Sequence, residues 1–373
     1  MSDKKDKKEK KEAKKDASIK KIEKELENFK VSFSGTRGKQ KWTPSGILAL
    51  DYSIGEGIPL GRSIELYGTY SSGKSSVTLK AIAAAQSLGL KCAYIDAERT
   101  FDPDWAETWG VVVEDLDVIG TTYGEQALDF TEVLLRKGIY SIIVIDSIAA
   151  LVPKAEVEGS MEDIQVGAQA RMMGKAIRKL TPIAAETGCT LILINQIRQK
   201  VGVMFGNPET TPGGEAIKFG ASVRIHVNRV FGSEIYEGDQ ETIGHRINIS
   251  NKKNKVGSPF KKYDFYVNYK QGPDNLETYL NRCVALGYIT RRGPMYDLLI
   301  DGDTKSFKGI KALQKGIIDT PEVLDTLMKY VPLHEYYVDN IRKQVKTDLK
   351  DEEEEPVEEI VAEVKEQKKG KKK

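Results

Sequence analysis

Between residues 60 and 200 the chain alternates two kinds of apolar run. Ile64–Tyr67, Cys92–Ile95, Ser141–Ile145 and Leu191–Ile194 are short and nearly unbroken, the pattern of strands buried on both faces. Between them, residues 75–88, 124–137 and 166–187 carry the composition and apolar spacing of helices. Strands alternating with helices of this length predict crossover units, and so an α/β fold on a mostly parallel central sheet. After residue 220 the pattern changes. Ser222–Asn228, His245–Ser250 and Tyr263–Asn268 alternate apolar with polar positions, with Gly and Asn between them, which predicts antiparallel or mixed-sheet strands. From about 273 the pattern shifts again, toward a small C-terminal α/β lobe ending near 345.

The ends are made of different material. Residues 1–30 hold 12 Lys and 8 Asp or Glu, with Ile19, Ile22, Leu26 and Phe29 at helical spacing near the end. Residues 1–16 are expected to be disordered, and about 17–29 to form a short amphipathic helix. Residues 351–366 hold 9 acids and 1 Lys, and 367–373 add 5 Lys. An acidic block of this kind repels itself and is expected not to pack. The predicted domains are therefore a Lys-rich tail and helix over 1–40, a core over 41–272, a lobe over 273–345 and a disordered tail over 346–373.

Composition narrows the function. With 373 residues and 40% apolar content the chain can bury a large core. The charges nearly cancel, at +2, which excludes a uniformly basic coat but not a local basic patch. The cysteines Cys92, Cys189 and Cys283 form no CxxC pair, which argues against a disulfide scaffold or a thiolate zinc site. The sequence has no apolar span long enough for a membrane helix and no signal-peptide pattern, so the default compartment is the cytoplasm.

The strongest chemical signal is Gly68-Thr69-Tyr70-Ser71-Ser72-Gly73-Lys74-Ser75, which fits GxxxxGK[ST] between a predicted strand and a predicted helix. In such a turn successive backbone N–H groups face phosphate oxygens, and the helix N-terminus adds its dipole. Lys74 is placed to neutralise terminal phosphates, and Ser75 to offer its hydroxyl to Mg²⁺. Asp146 ends an apolar strand, where a lone buried carboxylate is costly unless it serves a cation, directly or through water. Asp96 and Glu98 close the second strand. Either is placed to activate water, and spacing leaves the choice between them open. Gln196 ends the fourth strand at the same sheet edge, where an amide can read a γ-phosphate.

Residues 197–215 combine four Gly and two Pro with apolar Ile197, Val201, Val203, Met204 and Phe205. A loop this long in a compact domain is usually functional. Arg198 and Lys200 are cations for phosphate. Arg171, Lys175 and Arg178 share one face of a predicted helix, preceded by the Gly-containing segment Glu158–Gly167.

These stretches resemble the bacterial RecA recombinase family. The likeness runs through Glu65-Leu66-Tyr67-Gly68, the 71–75 and 95–98 motifs, 144–159, 169–173, 178–181, INQIRQKVGVMFGNPETTPGG at 194–214, 218–225 and 254–260. It covers roughly residues 42–290, and the 194–214 run is close to diagnostic, suggesting a divergent bacterial or bacteriophage member. It implies a P-loop ATPase core of that type, with a mostly parallel sheet plus antiparallel strands, a short N-terminal helix that packs on the adjacent protomer, and a small C-terminal lobe. It implies a DNA-dependent ATPase that forms helical filaments on single-stranded DNA and pairs it with homologous duplex DNA, using ATP and Mg²⁺. A self-cleaving repressor is a further implied partner, and a membrane is not. By the same resemblance Glu98 activates water and Gln196 senses the γ-phosphate. Gly68, Ser71, Ser72, Gly73, Lys74, Ser75, Ser76, Trp105, Asp146 and Gln196 contact nucleotide or its metal. Arg171, Arg178, Arg198, Gly213 and Gly214 lie near the DNA backbone, and Val201 inserts between base triplets. Lys253 and Lys255 reach the neighbouring subunit's γ-phosphate, and Lys218 and Phe219 lie at that interface.

The chain departs from the family pattern at Trp105 for Tyr, Arg99 for His, Ser75 for Thr, Gly174 for Ser and Glu215 for Asn. An indole keeps the stacking surface, and Ser75 keeps the hydroxyl. An inward Glu215 would weaken phosphate contact. Residues 291–345 match weakly. A hexameric helicase with a related core, and an ATP-binding filament or regulatory module without productive turnover, are the competing functions. The 194–214 run, Lys253 and Lys255 speak against the first, and Lys74, Asp146 and Glu98 against the second.

Overall fold

The computed structural model describes residues 40–160, 167–199, 209–237, 241–300 and 303–354. The N-terminal helix expected at 17–29 lies outside them. Among the described residues six strands run parallel: β1 (Ser63–Gly68), β2 (Lys91–Asp96), β3 (Leu116–Gly120), β4 (Tyr140–Asp146), β5 (Thr190–Gln196) and β6 (Val223–Arg229). Their spatial order is β6-β1-β5-β4-β2-β3. The sheet then turns antiparallel through β7 (Ile235–Glu237), β8 (Glu241–Asn254), β9 (Lys262–Asn268) and β10 (Gly272–Pro273), with β8 pairing β6, β7 and β9.

The apolar runs explain the parallel part. In β5, Leu191 and Leu193 face one way, and Ile192 and Ile194 the other; in β4, Ile143 and Ile145 oppose Ile142 and Val144. Helix α1 (Leu48–Ile54) precedes β1, and α2 (Lys74–Ser87) follows it. Val77, Leu79 and Ile82 of α2 cover one face of the sheet. After the short α3 (Pro103–Thr108), α4 (Gly124–Lys137) covers the other face with Ala127, Leu128, Leu134 and Leu135. The five-residue α5 (Lys154–Glu158) leads to α6 (Ala168–Thr187), which adds Met173, Ala176, Ile177 and Leu180. Cutting one such buried isoleucine to alanine costs about 2–5 kcal/mol.

Several short elements are not legible in the pattern, β3 and α1 among them. Strand β3 is only five residues, LDVIG, and offers no unbroken apolar run; Asp117 sits on this edge strand and takes hydrogen bonds from Lys91 (3.1 Å) and Tyr140 (2.5 Å). Helix α1 is only 7 residues long, nearly all buried, so it shows no amphipathic stripe.

Helix α7 (Glu215–Gly220) joins the long loop to β6. The C-terminal part holds α8 (Asn275–Ala285), the antiparallel β11 (Thr290–Arg292), β12 (Met295–Ile300) and β13 (Asp303–Lys308), and helices α9 (Ile310–Ile318), α10 (Pro321–Tyr330) and α11 (Glu335–Glu354). Its own cluster includes Leu276, Tyr279, Leu313, Leu324, Tyr337 and Ile341, joined by Leu48 of α1. The Tyr337 hydroxyl donates to Asp51 of α1 at 2.5 Å. Helix α11 runs to Glu354, into residues whose acid content had predicted no structure. Residues 352–354 are glutamates, good helix formers, so acid content by itself does not end the helix. Residues 355–373 lie outside the described set.

Candidate functional site

The carboxyl ends of the parallel strands gather the predicted chemistry on one edge, where open α/β sheets place their ligands. In register, Gly68 pairs with Gln196 and Asp96 with Asp146. Gly68 has no room for a side chain, since a Cβ there would lie 2.1 Å from the Val227 carbonyl and 2.6 Å from Ser72 Oγ. The loop after it turns on left-handed residues Ser71 (φ 50°) and Gly73 (φ 89°) and opens directly into α2. Ser72 is buried, Ser71 is exposed, and Ser75 and Ser76 are half-buried.

Lys74 folds over this loop. Its Nζ donates to the Thr69 carbonyl at 2.6 Å and to Ser72 Oγ at 3.4 Å. Burial lowers its pKa, and the nearby Asp146 and Glu98 charges oppose that shift. Asp146 Oδ2 accepts from Ser75 Oγ at 2.7 Å and from the Tyr94 hydroxyl at 2.5 Å. Burial raises its pKa, and those two hydrogen bonds pull it back. A hydroxyl and a carboxylate in contact beside a phosphate loop are the hard oxygen donors that suit Mg²⁺. Among the described residues no three His, Cys, Asp or Glu side chains are arranged to hold a metal ion. In the sequence Tyr94 is legible only as part of an apolar strand, and its hydroxyl partner is not.

The structure separates Asp96 from Glu98. Strand β2 ends at Asp96, so the alternation that would have aimed both carboxylates one way does not reach Glu98. Asp96 is buried and accepts from the backbone N–H groups of Thr100 (3.2 Å) and Phe101 (2.9 Å), which makes it the brace of its own loop. Glu98 is exposed and accepts at Oε1 from Ser147 Oγ and from Gln196 Nε2, the latter at 3.1 Å. Arg99 turns away from it, donating to the Thr121 carbonyl at 3.2 Å and to Thr122 Oγ1 at 3.3 Å.

Trp105 is half-buried, its indole edge-on to Trp109 (6.0 Å) and Tyr269 (6.4 Å). Asp102 caps its helix by accepting from the Trp105 N–H at 3.1 Å.

The long loop leaves from the same edge. The Ile197 N–H donates to the Gly68 carbonyl at 3.0 Å. Arg198 is exposed and pairs with Thr210 in a short antiparallel ribbon, Arg198–Gln199 against Glu209–Thr210, that closes the loop's base. Lys200 and Val201 lie outside the described residues. Gly213 and Gly214 are left-handed, at φ 83° and 77°. A Cβ on Gly213 would fall 2.4 Å from Ile217 Cδ1, and the positive φ would strain any other residue there. Arg171, Lys175 and Arg178 are exposed along one face of α6, while Lys179 turns to Glu132 at 2.5 Å. A Cβ on Gly174 would meet Ala216 at an ordinary 3.7 Å. Glu215 is exposed and pairs with Lys218 at 2.6 Å, so its charge is answered within its own helix.

Lys253 and Lys255 lie elsewhere. Lys253 pairs in register with Arg224, and Arg224 with Glu65, three residues before Gly68. Lys253 is therefore roughly 10 Å back along the strand direction from the phosphate loop of its own chain, and Lys255, bonded to the Ser222 carbonyl, lies farther back. Lys253 Nζ donates to the carbonyls of Lys218 (2.7 Å) and Phe219 (2.8 Å), and Lys255 Nζ to that of Phe219 (3.4 Å). The Phe219 ring is 72% exposed. Partial burial lowers the Lys253 pKa, helped by Lys255 and Arg224.

Comparison with known proteins places these residues in context. The profile described as the RecA N-terminal domain matches residues 13–274. Protein RecA of Thermus thermophilus is 42% identical over 313 residues, covering 83% of this chain and 91% of that protein. Protein RecA of Nocardia farcinica is 41% identical over 317 residues, covering 84% and 90%, and that of Pseudomonas fluorescens 41% over 318, covering 84% and 89%.

Proposed function

The chain belongs to the RecA family, and from that membership we propose how its own residues perform the family's work. It is a DNA-dependent ATPase that forms filaments on single-stranded DNA and exchanges homologous strands. That function sets aside the helicase and the regulatory module without turnover. Among the described residues no helix is long and apolar enough to cross a membrane.

In the proposed site the backbone of 68–75 and Lys74 hold the phosphates, and Trp105 packs against the base. Ser75 and Asp146 would hold Mg²⁺, which when bound offsets phosphate charge. Glu98 accepts a proton from the attacking water as the new oxygen–phosphorus bond forms and the bridging oxygen leaves with ADP. The Ser147 hydroxyl and the Gln196 amide orient that carboxylate. Gln196 reads the γ-phosphate and passes its presence to 197–214. That segment, with Arg171, Arg178, Arg198, Lys200, Val201, Gly213 and Gly214, holds the DNA strand. Lys253 and Lys255 complete the nucleotide site of the adjacent subunit, across an interface that includes Lys218 and Phe219. We further assign 1–40 to protomer packing, 41–272 to the ATPase and DNA-binding core and 273–354 to the lobe, whose last helix carries it past the boundary expected at 345, with the tail following. A self-cleaving repressor as a partner, and action in the cytoplasm, rest on family membership alone.

The observation that carries this reading is the Gly68–Gln196 pairing, extended by the Ile197 N–H to Gly68 carbonyl bond at 3.0 Å. The phosphate loop and the DNA segment leave the sheet from adjacent, hydrogen-bonded residues. Electron microscopy of the protein with single-stranded DNA and a non-hydrolysable ATP analogue tests it. Helical filaments are expected with the analogue and shorter or fewer with ADP; closed rings, or no nucleotide dependence, would refute it.

A further inference from the structure

Beneath the phosphate loop lies a buried polar cluster that none of the roles above uses. Glu65 in β1 and Asn195 in β5 are both 0% exposed. Glu65 accepts from Asn195 Nδ2 at 3.0 Å through Oε1 and from Arg224 Nε at 2.5 Å through Oε2. Asn195 spends the rest of its capacity on the loop. Its Nδ2 also donates to the Pro212 carbonyl at 3.1 Å, and its Oδ1 accepts from the Gln196 backbone N–H at 3.0 Å. One side chain thus grips the residue before the long segment begins and a residue where it ends. Arg224 stacks on the Tyr67 ring at 4.7 Å and lies opposite Lys253 in register.

Packing does not ask for this arrangement. A carboxylate in the middle of a sheet costs several kcal/mol in desolvation, and an aliphatic pair of similar size would fill the space. What the polar version adds is geometry. Every hydrogen bond in it has a fixed direction, and leaving any partner unpaired in so dry a place is costly. The two ends of the segment therefore move together with β1 and β6, or not at all.

We propose that Asn195 is a positioning residue that couples the two ends of the 197–214 segment to the Glu65–Arg224 pair, and through it to the strand carrying Lys253. The order of the DNA segment and the placement of the lysine facing the neighbouring subunit are then set by one rigid unit. Gln196 reports the nucleotide, and Asn195 ensures that entry and exit of the segment respond as one. This rests on the reading of the nucleotide and DNA sites given above and adds the means of their coupling.

The test compares single-stranded DNA affinity in the presence of a non-hydrolysable ATP analogue and of ADP. Asn195→Asp is close to isosteric, keeps the acceptor for the Gln196 N–H and removes both Nδ2 donations; Asn195→Ala removes all three bonds. Both are expected to shrink the ratio of the two affinities by about fivefold or more, the lower range of ordinary couplings. Nucleotide affinity should stay within about twofold of the unaltered protein, a split that general destabilisation would not give. A folded variant with an unchanged ratio would overturn the proposal. If the unaltered protein shows no nucleotide dependence, it is the reading of the sites that fails instead. Should both variants misfold, hydrogen exchange on the unaltered protein decides. Protection at Gln196 and at 213–215 should rise together when analogue and DNA are added, and independent changes would refute the coupling.

Discussion

The side-chain amide of Gln196 donates to the carboxylate of Glu98 across 3.1 Å, joining the end of β5 to the loop after β2. The residue proposed to sense the terminal phosphate touches the residue proposed to activate water. A shift of that amide toward phosphate would alter the carboxylate's surroundings at the same moment, so sensing and turnover share one contact.

Replacing Glu98 by Gln keeps an oxygen for Ser147 and Gln196 and removes the proton acceptor. ATP binding is expected to persist while turnover falls at least about 10²-fold, the usual share of a general base. Steady-state ATPase with DNA, beside nucleotide binding by titration, checks it. Turnover near the unaltered rate would remove Glu98 from this role.

Lys74→Ala takes away the cation that lies over the phosphate loop. ATP-dependent assembly should disappear, as read by light scattering on added ATP. Assembly at the normal nucleotide concentration would show that the backbone cradle suffices.

Because Lys253 lies back along the sheet from its own phosphate loop, its loss should be repairable by a neighbour. Filaments of Lys253→Ala alone, or of Glu98→Gln alone, should hydrolyse little ATP. Co-assembled filaments should regain a clear fraction, because some interfaces join an intact Glu98 to an intact Lys253. Activity no higher than the sum of the separate filaments would place the lysine's action within one chain.

Arg198 is exposed at the base of the segment proposed to hold DNA. Arg198→Ala should weaken single-stranded DNA binding and lower the slope of log affinity against log salt by about 0.7, the counterions released by one phosphate contact. Equal slopes across a salt titration would exclude a backbone contact there.

Asp51 supplies a pH dependence far from the chemistry. Burial pushes its carboxyl up to about 7, against the opposing hydrogen bonds from Ser45 and Tyr337. In the unfolded chain it titrates near ~3.9. Between these values the folded state holds a proton that the unfolded state has lost, so this group's contribution is full below about pH 4 and is lost as pH rises through about 7. Asp51→Asn should flatten the decline of Tm over that window, removing at most about 1.4 kcal/mol per pH unit. An unchanged profile would mean that Asp51 is ionised in the fold.

Much of this was legible in the residues. The runs at 64–67, 92–95, 141–145 and 191–194 are strands of the parallel sheet because both faces are covered, which leaves no polar alternation to confuse them. Glycines at 68 and 73 marked a turn whose backbone needs them. Spacing did not separate Asp96 from Glu98, because that choice depends on where β2 stops and on which N–H groups lie beneath. Nor did it reveal Tyr94 or Asn195, whose polar atoms meet partners 52, 130 and 17 residues away in the chain. Strand β8 runs from Glu241 to Asn254, well past the alternation at 245–250, and that extension is what brings Lys253 beside Arg224.

The separation of Lys253 from the Gly68–Ser75 loop along the strands also gives the molecule a direction. If one end donates the cation and the other receives it, two copies docked head to tail still present one unused donor and one unused receiver. Each addition recreates the situation that invited it, and growth is limited by supply or by the template's length rather than by saturation of contacts. The two tips of such a polymer are chemically distinct, so subunits can join at one and depart from the other.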